Sequence, residues 1–307
     1  MRHRLAIALA ALVAAGAAAG CSAGGGTEPS NAAAVSSTTV ASTSTTTALP
    51  TTTTAPTTST APGTAVTVAG DSDPDSLAAT ITAGETAIRD ARVPPAALEA
   101  QAQAQQLAYR RLAAHPEWLA AVLAKVPASL RDTVRANVHA STELRAIPGK
   151  PPTQLPKWHI VAPAPADELL RYYHEAAATT GTPWNVLAAV HLVESRMGRI
   201  RGDSTAGAQG PMQFLPSTWA QYGAGGDIQS NHDAILAAGR YLARNGAPAN
   251  VSNALYAYNH SQHYVAAILD YAGQMAANQR AFYGYYHWQV YYRMPDGDRL
   301  LPVGWSN

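Results

Sequence analysis

The stretch WNVLAAVHLVES, residues 184–195, carries the pattern on which the fold depends. Its apolar residues recur at the spacing of one helix face: Val186, Leu187, Val190 and Val193. The next position on that face is Glu194. A carboxylate at the end of a buried stripe costs free energy unless it is paired or protonated. The pattern therefore predicts a buried helix that ends in an acidic residue placed where an apolar one belongs.

Two interpretations of Glu194 are open at this point. Burial against apolar neighbours raises the pKa of a carboxyl group towards neutrality, which is what a general acid requires. The simpler alternative is a helix-end glutamate that turns to solvent or pairs with Arg196 or Arg199. The spacing of the stripe does not choose between them.

Three short motifs add to this pattern. They read Glu194-Ser195, then Gly210-Pro211-Met212-Gln213 followed by Phe214, and finally Tyr258-Asn259 near the end of a later helix. In this order and at these separations they resemble the lytic transglycosylase domain of the lysozyme-like superfamily. The resemblance covers about residues 157–307 and is strongest over 184–222. The whole arrangement is similar to actinobacterial envelope transglycosylases, although many relatives have a small residue and Gly where this chain has His260-Ser261.

The resemblance implies a mainly α, lysozyme-like catalytic domain that acts on the glycan strands of peptidoglycan. In this family one glutamate, here Glu194, protonates the glycosidic oxygen between N-acetylmuramic acid (MurNAc) and N-acetylglucosamine (GlcNAc). The same residue then takes the proton of the muramic C6 hydroxyl, which closes onto C1 and leaves a 1,6-anhydro end. The remaining motif residues are expected to bind or position substrate: Ser195, Met212, Gln213, Phe214, Tyr258 and Asn259.

Two alternatives to this function stay open. A hydrolytic muramidase would use Glu194 with water, and Asp203 in the polar loop that follows would be a candidate second carboxylate. A non-catalytic peptidoglycan-binding lipoprotein would use the same surface without chemistry. The second alternative is disfavoured because all the polar motif residues are present: Glu194, Gln213, Tyr258 and Asn259.

Neither a cofactor nor a metal is expected. The segment Asp227-x-Gln229-x-Asn231-x-Asp233 has the spacing of a calcium loop, but His232 and Ala238 stand where that loop needs Gly and Glu. We interpret Ser230 or Asn231 as a helix cap instead. The pairs His191-x-x-Glu194 and His260-x-x-His263 lack a third ligand.

The front of the chain differs in composition from the rest. Arg2 and Arg4 precede an apolar run, Leu5–Gly20, which is too short for a membrane span and typical of a signal peptide. The only cysteine, Cys21, follows at a site that resembles a bacterial lipobox, with plain secretion as the alternative. The sequence thus predicts a lipoprotein signal peptide over 1–20. It also predicts lipidation of Cys21, which would anchor the protein to the outer face of the cytoplasmic membrane in the cell envelope.

The following segment, 21–74, is predicted to be a disordered tether rich in Ser, Thr, Ala and Pro. Glu28 is the only charged residue between Arg4 and Asp71, and the first aromatic residue along the chain is Tyr109. Such a segment cannot bury enough apolar surface to offset its conformational entropy. The formal net charge of the chain is +1, which disfavours a nucleic-acid binder, and a single cysteine excludes a disulfide framework.

The rest of the chain is predicted to be helical, with an extension over 75–150 and the lysozyme-like domain over 151–307. Prolines at helix boundaries and apolar stripes place the helices. Thr182 is expected to cap the helix that begins at Pro183. A hairpin with an Asp296-Gly297 turn is expected near the C-terminus, and the aromatic residues of 282–292 are expected to close the helical core. The predicted helices span 76–92, 96–114, 117–125, 128–146, 166–180, 183–195, 231–245, 250–258 and 261–277.

Overall fold

The computed structural model of the protein describes residues 65–67, 73–147 and 149–307. The predicted signal peptide, Cys21 and most of the predicted tether therefore lie outside the described residues. Within these ranges the chain is mainly helical, which confirms the predicted fold class. The helices are α1 Pro74–Arg89, α2 Glu99–Ala114, α3 Leu119–Lys125, α4 Arg131–Ala146, α5 Ala166–Thr180, α6 Trp184–Ser195, α7 Pro216–Tyr222, α8 Asn231–Arg244, α9 Val251–Tyr258, α10 Gln262–Ala277 and α11 Ala281–Tyr286.

Local capping explains where several helices begin. Asp73 accepts hydrogen bonds from the backbone N–H groups of Asp75 and Ser76, and Pro74 occupies the first helical position of α1. Ser230 caps α8 and Ser261 caps α10 in the same way. The predicted helices over 96–114, 117–125 and 128–146 each open with a short 3₁₀ turn, at Pro95–Leu98, Pro116–Trp118 and Ala128–Leu130.

The predicted cap of the central helix α6 is wrong. Thr182 was expected to cap it, but the helix begins at Trp184, and Pro183 precedes it without a side-chain cap. The buried Thr182 hydroxyl instead donates to the carbonyl oxygen of Gly239 in α8, at 2.9 Å. A buried hydroxyl needs a partner, and here a carbonyl group of the neighbouring helix provides it. Two short helices, α7 and α11, are not among the predicted ones.

The strands form two small sheets. The C-terminal hairpin is present as β4 (Val290–Met294) and β5 (Gly297–Leu301), and its turn residue Gly297 has a φ of 126°. Strand β1 (Val66–Thr67) pairs antiparallel with β5, so the predicted tether is wrong over this dipeptide. Strand β2 (His159–Ile160) pairs with β3 (Ile200–Arg201) and ties the proline-rich segment 149–165 to the domain.

Helix α6 lies at the centre of the fold, in contact with α5, α8, α10 and α11. All residues from Val186 to Ser195 are buried, so the helix is enclosed on every side rather than along one stripe. The extension joins the same core. Helix α4 packs on α10, and residues of both regions belong to one hydrophobic cluster that includes Val122, Val134, Leu187 and Ile268. The division into 75–150 and 151–307 remains a prediction.

Aromatic side chains from the C-terminal part of the chain enter this core. Phe282, Tyr285 and Trp288 are buried in it, whereas Tyr292 is buried in a second cluster together with Trp158. Within the described ranges, no helix combines the length and the hydropathy needed to cross a bilayer.

Candidate active site

Glu194 is the penultimate residue of α6, and its environment is apolar. The residue is 2% exposed, and its Oε1 atom accepts a hydrogen bond from the hydroxyl of Tyr264 at 2.8 Å. Its Oε2 atom is buried without a hydrogen-bond partner. Burial raises the pKa of this carboxyl group to about 8, against the lowering effect of the Tyr264 hydrogen bond. Glu194 is therefore protonated at neutral pH, and no protein group accepts a hydrogen bond from its Oε2 atom.

The alternative in which Glu194 turns to solvent or pairs with an arginine is wrong. Arg196 follows in a left-handed conformation (φ 55°), and its guanidinium lies 6.0 Å from the ring centre of Trp288. The guanidinium of Arg199 lies 5.4 Å from the ring centre of Tyr286. Burial lowers the pKa of both arginines to about 10. The turn after α6 thus directs both cations away from the carboxyl group, and no ion pair among the described residues includes Glu194.

Tyr264 contacts Glu194 but belongs to none of the three motifs. It lies on α10 at a fully buried position of the apolar stripe, and burial raises the pKa of its hydroxyl well above the usual value. The sequence contained one indication of this contact: a tyrosine on a buried apolar stripe, whose hydroxyl normally finds a hydrogen-bond partner. The pattern shows that a partner is needed but does not show which residue provides it.

Tyr264→Phe is expected to shift the pH dependence of any reaction in which Glu194 acts as an acid. Removal of a hydrogen bond that lowers the Glu194 pKa moves the alkaline limb of the rate profile to higher pH. The loss of orientation lowers the maximal rate by roughly tenfold. A pH–rate profile of peptidoglycan digestion measures both effects.

Tyr258→Phe is the matched control for this experiment. Its hydroxyl is also buried but donates to the Met212 carbonyl oxygen rather than to Glu194. An equal shift of the alkaline limb in both variants would contradict the positioning role of Tyr264.

A tight turn brings the second motif against the end of α6. The Ser195 hydroxyl donates to the carbonyl oxygen of Pro211, and the Tyr258 hydroxyl donates to that of Met212 at 2.7 Å. Gln209 and Phe214 close the turn through two backbone hydrogen bonds of 2.8 and 2.9 Å. Ser195 and Tyr258 thus connect all three motifs through one turn.

Gln213 occupies the turn in a left-handed conformation, with a φ of 51°. Its Nε2 atom donates to the carbonyl oxygen of Gly210 at 2.9 Å, while its Oε1 atom is buried without a partner. Two buried polar atoms, Glu194 Oε2 and Gln213 Oε1, thus have no partner within the protein. A buried polar atom without a partner requires an explanation, and a bound ligand is one.

The other motif residues lie around this turn. Phe214, Gln213 and Tyr258 line a small pocket of about 20 Å³ together with Tyr241. Met212 is fully buried in the core cluster and contributes its backbone carbonyl to the turn. Asn259 is buried directly after α9, where its backbone N–H donates to the carbonyl of Leu255.

The candidate second carboxylate is elsewhere. Asp203 is exposed and accepts a hydrogen bond from Gln209 Nε2 at 3.4 Å. No carboxylate is among the groups that shift the pKa of Glu194. The geometry therefore offers one acidic group rather than two.

Three of the residues with metal-ligand spacing, Asp227, Asp233 and His191, have hydrogen-bond partners within the protein. Asp233 accepts from the backbone N–H of Asp227, and Asp227 accepts from that of Gln229, each at 2.9 Å. His191 is buried against the Tyr173 hydroxyl, and burial lowers its pKa to about 3, so it is neutral. In the part of the chain that the structure describes, no group of three or more His, Cys, Asp or Glu side chains is arranged to hold a metal ion.

One family model matches part of the chain. The family model described as "Transglycosylase SLT domain" matches residues 171–280, which include Glu194, the turn and Tyr264. No curated protein and no solved structure matches the chain.

Proposed function

We infer from the match over residues 171–280 that the chain belongs to the SLT-domain lytic transglycosylases of the lysozyme-like superfamily, which act on peptidoglycan. We propose that it cleaves the MurNAc–GlcNAc β-1,4 bond with Glu194 as its only catalytic carboxyl group. The observation that carries this proposal is the state of Glu194 itself. Its carboxyl group is buried, its pKa is raised to about 8, and its Oε2 atom has no partner in the protein.

The proposed reaction begins with the transfer of the Glu194 proton to the glycosidic oxygen. The bond between that oxygen and MurNAc C1 breaks, GlcNAc leaves with a free C4 hydroxyl, and positive charge develops at C1 and the ring oxygen. Glu194 is now a carboxylate, and Tyr264 stabilises it through the hydrogen bond to Oε1. The apolar surroundings that favoured the acid also make the carboxylate a strong base.

Glu194 then takes the proton of the MurNAc C6 hydroxyl, and O6 forms a bond to C1. The product has a 1,6-anhydro end, Glu194 is protonated again, and no water is consumed. The Glu194 carboxyl group is buried and has no neighbouring carboxylate, which suits this route. Retaining and inverting hydrolases both need a second acidic group. This is the reason to prefer the transglycosylase route over the muramidase route for this chain.

The other motif residues are proposed to bind the glycan. In this proposal Gln213 Oε1 accepts from a sugar hydroxyl or N-acetyl N–H group, a role supported by the absence of a protein partner for that atom. Phe214 and Tyr258 provide an aromatic wall for a sugar ring beside it. Three motif residues have a supporting role in this proposal. The turn is held by the Ser195 hydroxyl and the Met212 carbonyl, and Asn259 holds the end of α9.

The product of digestion tests the proposal. Purified peptidoglycan is incubated with the protein, and the released fragments are separated and weighed by mass spectrometry. We expect fragments with 1,6-anhydro-MurNAc ends, which are lighter by one water than the corresponding reducing ends. Fragments with reducing ends would indicate a muramidase, and the absence of any release would contradict the proposed activity.

We also propose that the enzyme works from the membrane surface of the cell envelope. An SLT domain acts on peptidoglycan, and Cys21 stands where a lipoprotein signal needs its lipidated residue. Two or more acyl chains give stable anchoring, whereas one gives only marginal binding. We expect cells fed labelled palmitate to incorporate it into the wild-type protein but not into the Cys21→Ser variant. Wild-type protein without label would contradict the proposal.

A further inference from the structure

A cavity of about 390 Å³ lies between the extension helices and the C-terminal hairpin. Helix α2 and the turn after it form one wall, Arg145 of α4 forms another, and the β4–β5 turn closes the third side. Its volume is within the range of small-ligand sites and far larger than the pocket of about 20 Å³ beside Gln213. The function proposed above makes no use of it.

The charge of the cavity is strongly unbalanced. Four arginines line it, and among the described residues Asp298 is the only acidic one in its lining. The arginines are Arg110, Arg111, Arg145 and Arg293. The whole chain has a formal net charge of only +1, so this concentration of one sign is local. A concave surface of one charge focuses its field and attracts ions of the opposite sign.

The single carboxylate is shared between two of these arginines. Asp298 Oδ2 lies 2.6 Å from Arg110 Nη2 and 3.4 Å from Arg145 Nη2. Arg293 makes a different contact, because its Nη1 atom donates to the Arg145 carbonyl oxygen at 3.1 Å. The hairpin thus holds two of its side chains, Asp298 and Arg293, against the guanidinium groups of the extension. Among the described residues, one carboxylate is thus shared by Arg110 and Arg145, while Arg293 is held by a carbonyl oxygen.

The basic lining continues inward. A smaller pocket shares Arg110 and Arg145 with the cavity and also includes Arg196, two residues after Glu194. Burial lowers the pKa of Arg145, attraction to Asp298 opposes this, and repulsion from Arg110 and Arg293 adds to it. Trp118, stacked on His115 with 4.1 Å between ring centres, adds an aromatic surface at the outer wall. Several guanidinium groups together with one aromatic ring suit an organic ligand that carries anionic groups.

We propose that this cavity, distinct from the Glu194 site, binds an anion that carries phosphate or carboxylate groups. The forked guanidinium geometry matches both groups, so the shared chemistry is an oxyanion that accepts two parallel hydrogen bonds. This inference rests on the cavity alone and not on the proposed reaction of Glu194.

Binding of two simple probes to the full chain tests the proposal. Inorganic phosphate and glutarate are titrated separately at low ionic strength, and binding is followed by calorimetry and by the NMR signals of the Trp118 indole and the arginine side chains. We expect saturable binding of one or both probes, weakened as salt is added. Tighter binding of phosphate identifies a phosphate-bearing ligand, and tighter binding of glutarate identifies a carboxylate-bearing one.

Variants locate the site. The double substitution Arg111→Gln and Arg293→Gln is expected to weaken binding at least tenfold, while Arg135→Gln, an exposed residue of α4 paired with Asp132, leaves it unchanged. Equal weakening in both proteins would mean that general surface charge is responsible. If the double variant does not fold, the NMR map of the unaltered protein decides alone. Signals that move elsewhere than around the cavity, or no saturable binding of either probe, overturn the proposal.

Discussion

Glu194→Gln is expected to lower the rate of fragment release from peptidoglycan by roughly 10²–10⁴-fold, the usual contribution of a general acid. Glutamine keeps the shape of the side chain and an oxygen that accepts from Tyr264, but it has no proton to give to the glycosidic oxygen. The rate of muropeptide release, measured by chromatography of the digested polymer, is the readout.

Asp203→Asn is the control for this substitution. Asp203 is exposed and bonds Gln209, so its variant is expected to retain the rate of the unaltered enzyme. A comparable loss in both variants would favour two-carboxylate hydrolysis and contradict the single-Glu proposal. Unchanged release in Glu194→Gln would show that another group supplies the proton.

Glu194→Gln is also expected to stabilise the fold, and this gain in the free energy of unfolding should grow as pH rises. The Glu194 carboxyl group has a pKa of about 8 in the folded protein, against 4.5 as its ordinary value. Between these values the folded chain keeps a proton that the unfolded chain has released, so the stability of the unaltered protein falls as pH rises through this window. The glutamine variant has no such dependence.

Thermal unfolding of the two proteins at several pH values between 5 and 8 measures this difference. At the alkaline end we expect the variant to be more stable by an amount on the order of a few kcal/mol. Parallel stability curves would mean that Glu194 is not held in its neutral form.

Gly210→Ala is expected to disrupt the turn that presents Gln213. A Cβ atom at this position would lie 1.9 Å from the carbonyl oxygen of Ile228, a main-chain atom that cannot rotate away. The backbone φ of 72° adds the strain that any residue other than glycine has in the left-handed region. We expect a loss of about 3 kcal/mol or more in the free energy of unfolding, together with most of the activity.

Gly207→Ala is its matched control in the same loop. Gly207 has a similar φ of 80°, but a Cβ atom there meets nothing within 4 Å. Its substitution therefore tests conformational strain alone, with an expected cost of about 1 kcal/mol and little effect on activity. Urea unfolding and digestion assays compare the two variants. Equal losses at both positions would contradict the role of the Ile228 contact.

Features that depend on neighbours along the chain were predictable from the sequence. The bounds of α5 and α6 follow from apolar spacing and nearby proline or glycine, and the Asp296-Gly297 pair correctly indicated the hairpin. The anomaly at Glu194 was visible in the same way, since the period of a helix defines which position should be apolar. Alanine- and apolar-rich helices without βαβ alternation also made the mainly α fold class predictable.

The predictions that failed concern partners distant in sequence. Thr182 had the local features of a cap, but its hydroxyl bonds a carbonyl 57 residues away. Strand β1 lies in a segment of low-complexity composition, and its pairing depends on an edge of the C-terminal hairpin. In each case a local preference worth about 1 kcal/mol was overridden by a tertiary contact.

The acidic residue, the three motifs and the helical class could be inferred from the sequence because each depends on residue type and local spacing. Tertiary structure alone decided that Tyr264, 70 residues after Glu194, holds its carboxyl group, and that Arg196 and Arg199 point away. It also brought arginines of α2, α4 and β4 around one cavity. The physical reason is that a pKa or a ligand site depends on which groups surround an atom in space. Helical periodicity shows which face is buried but not what packs against it.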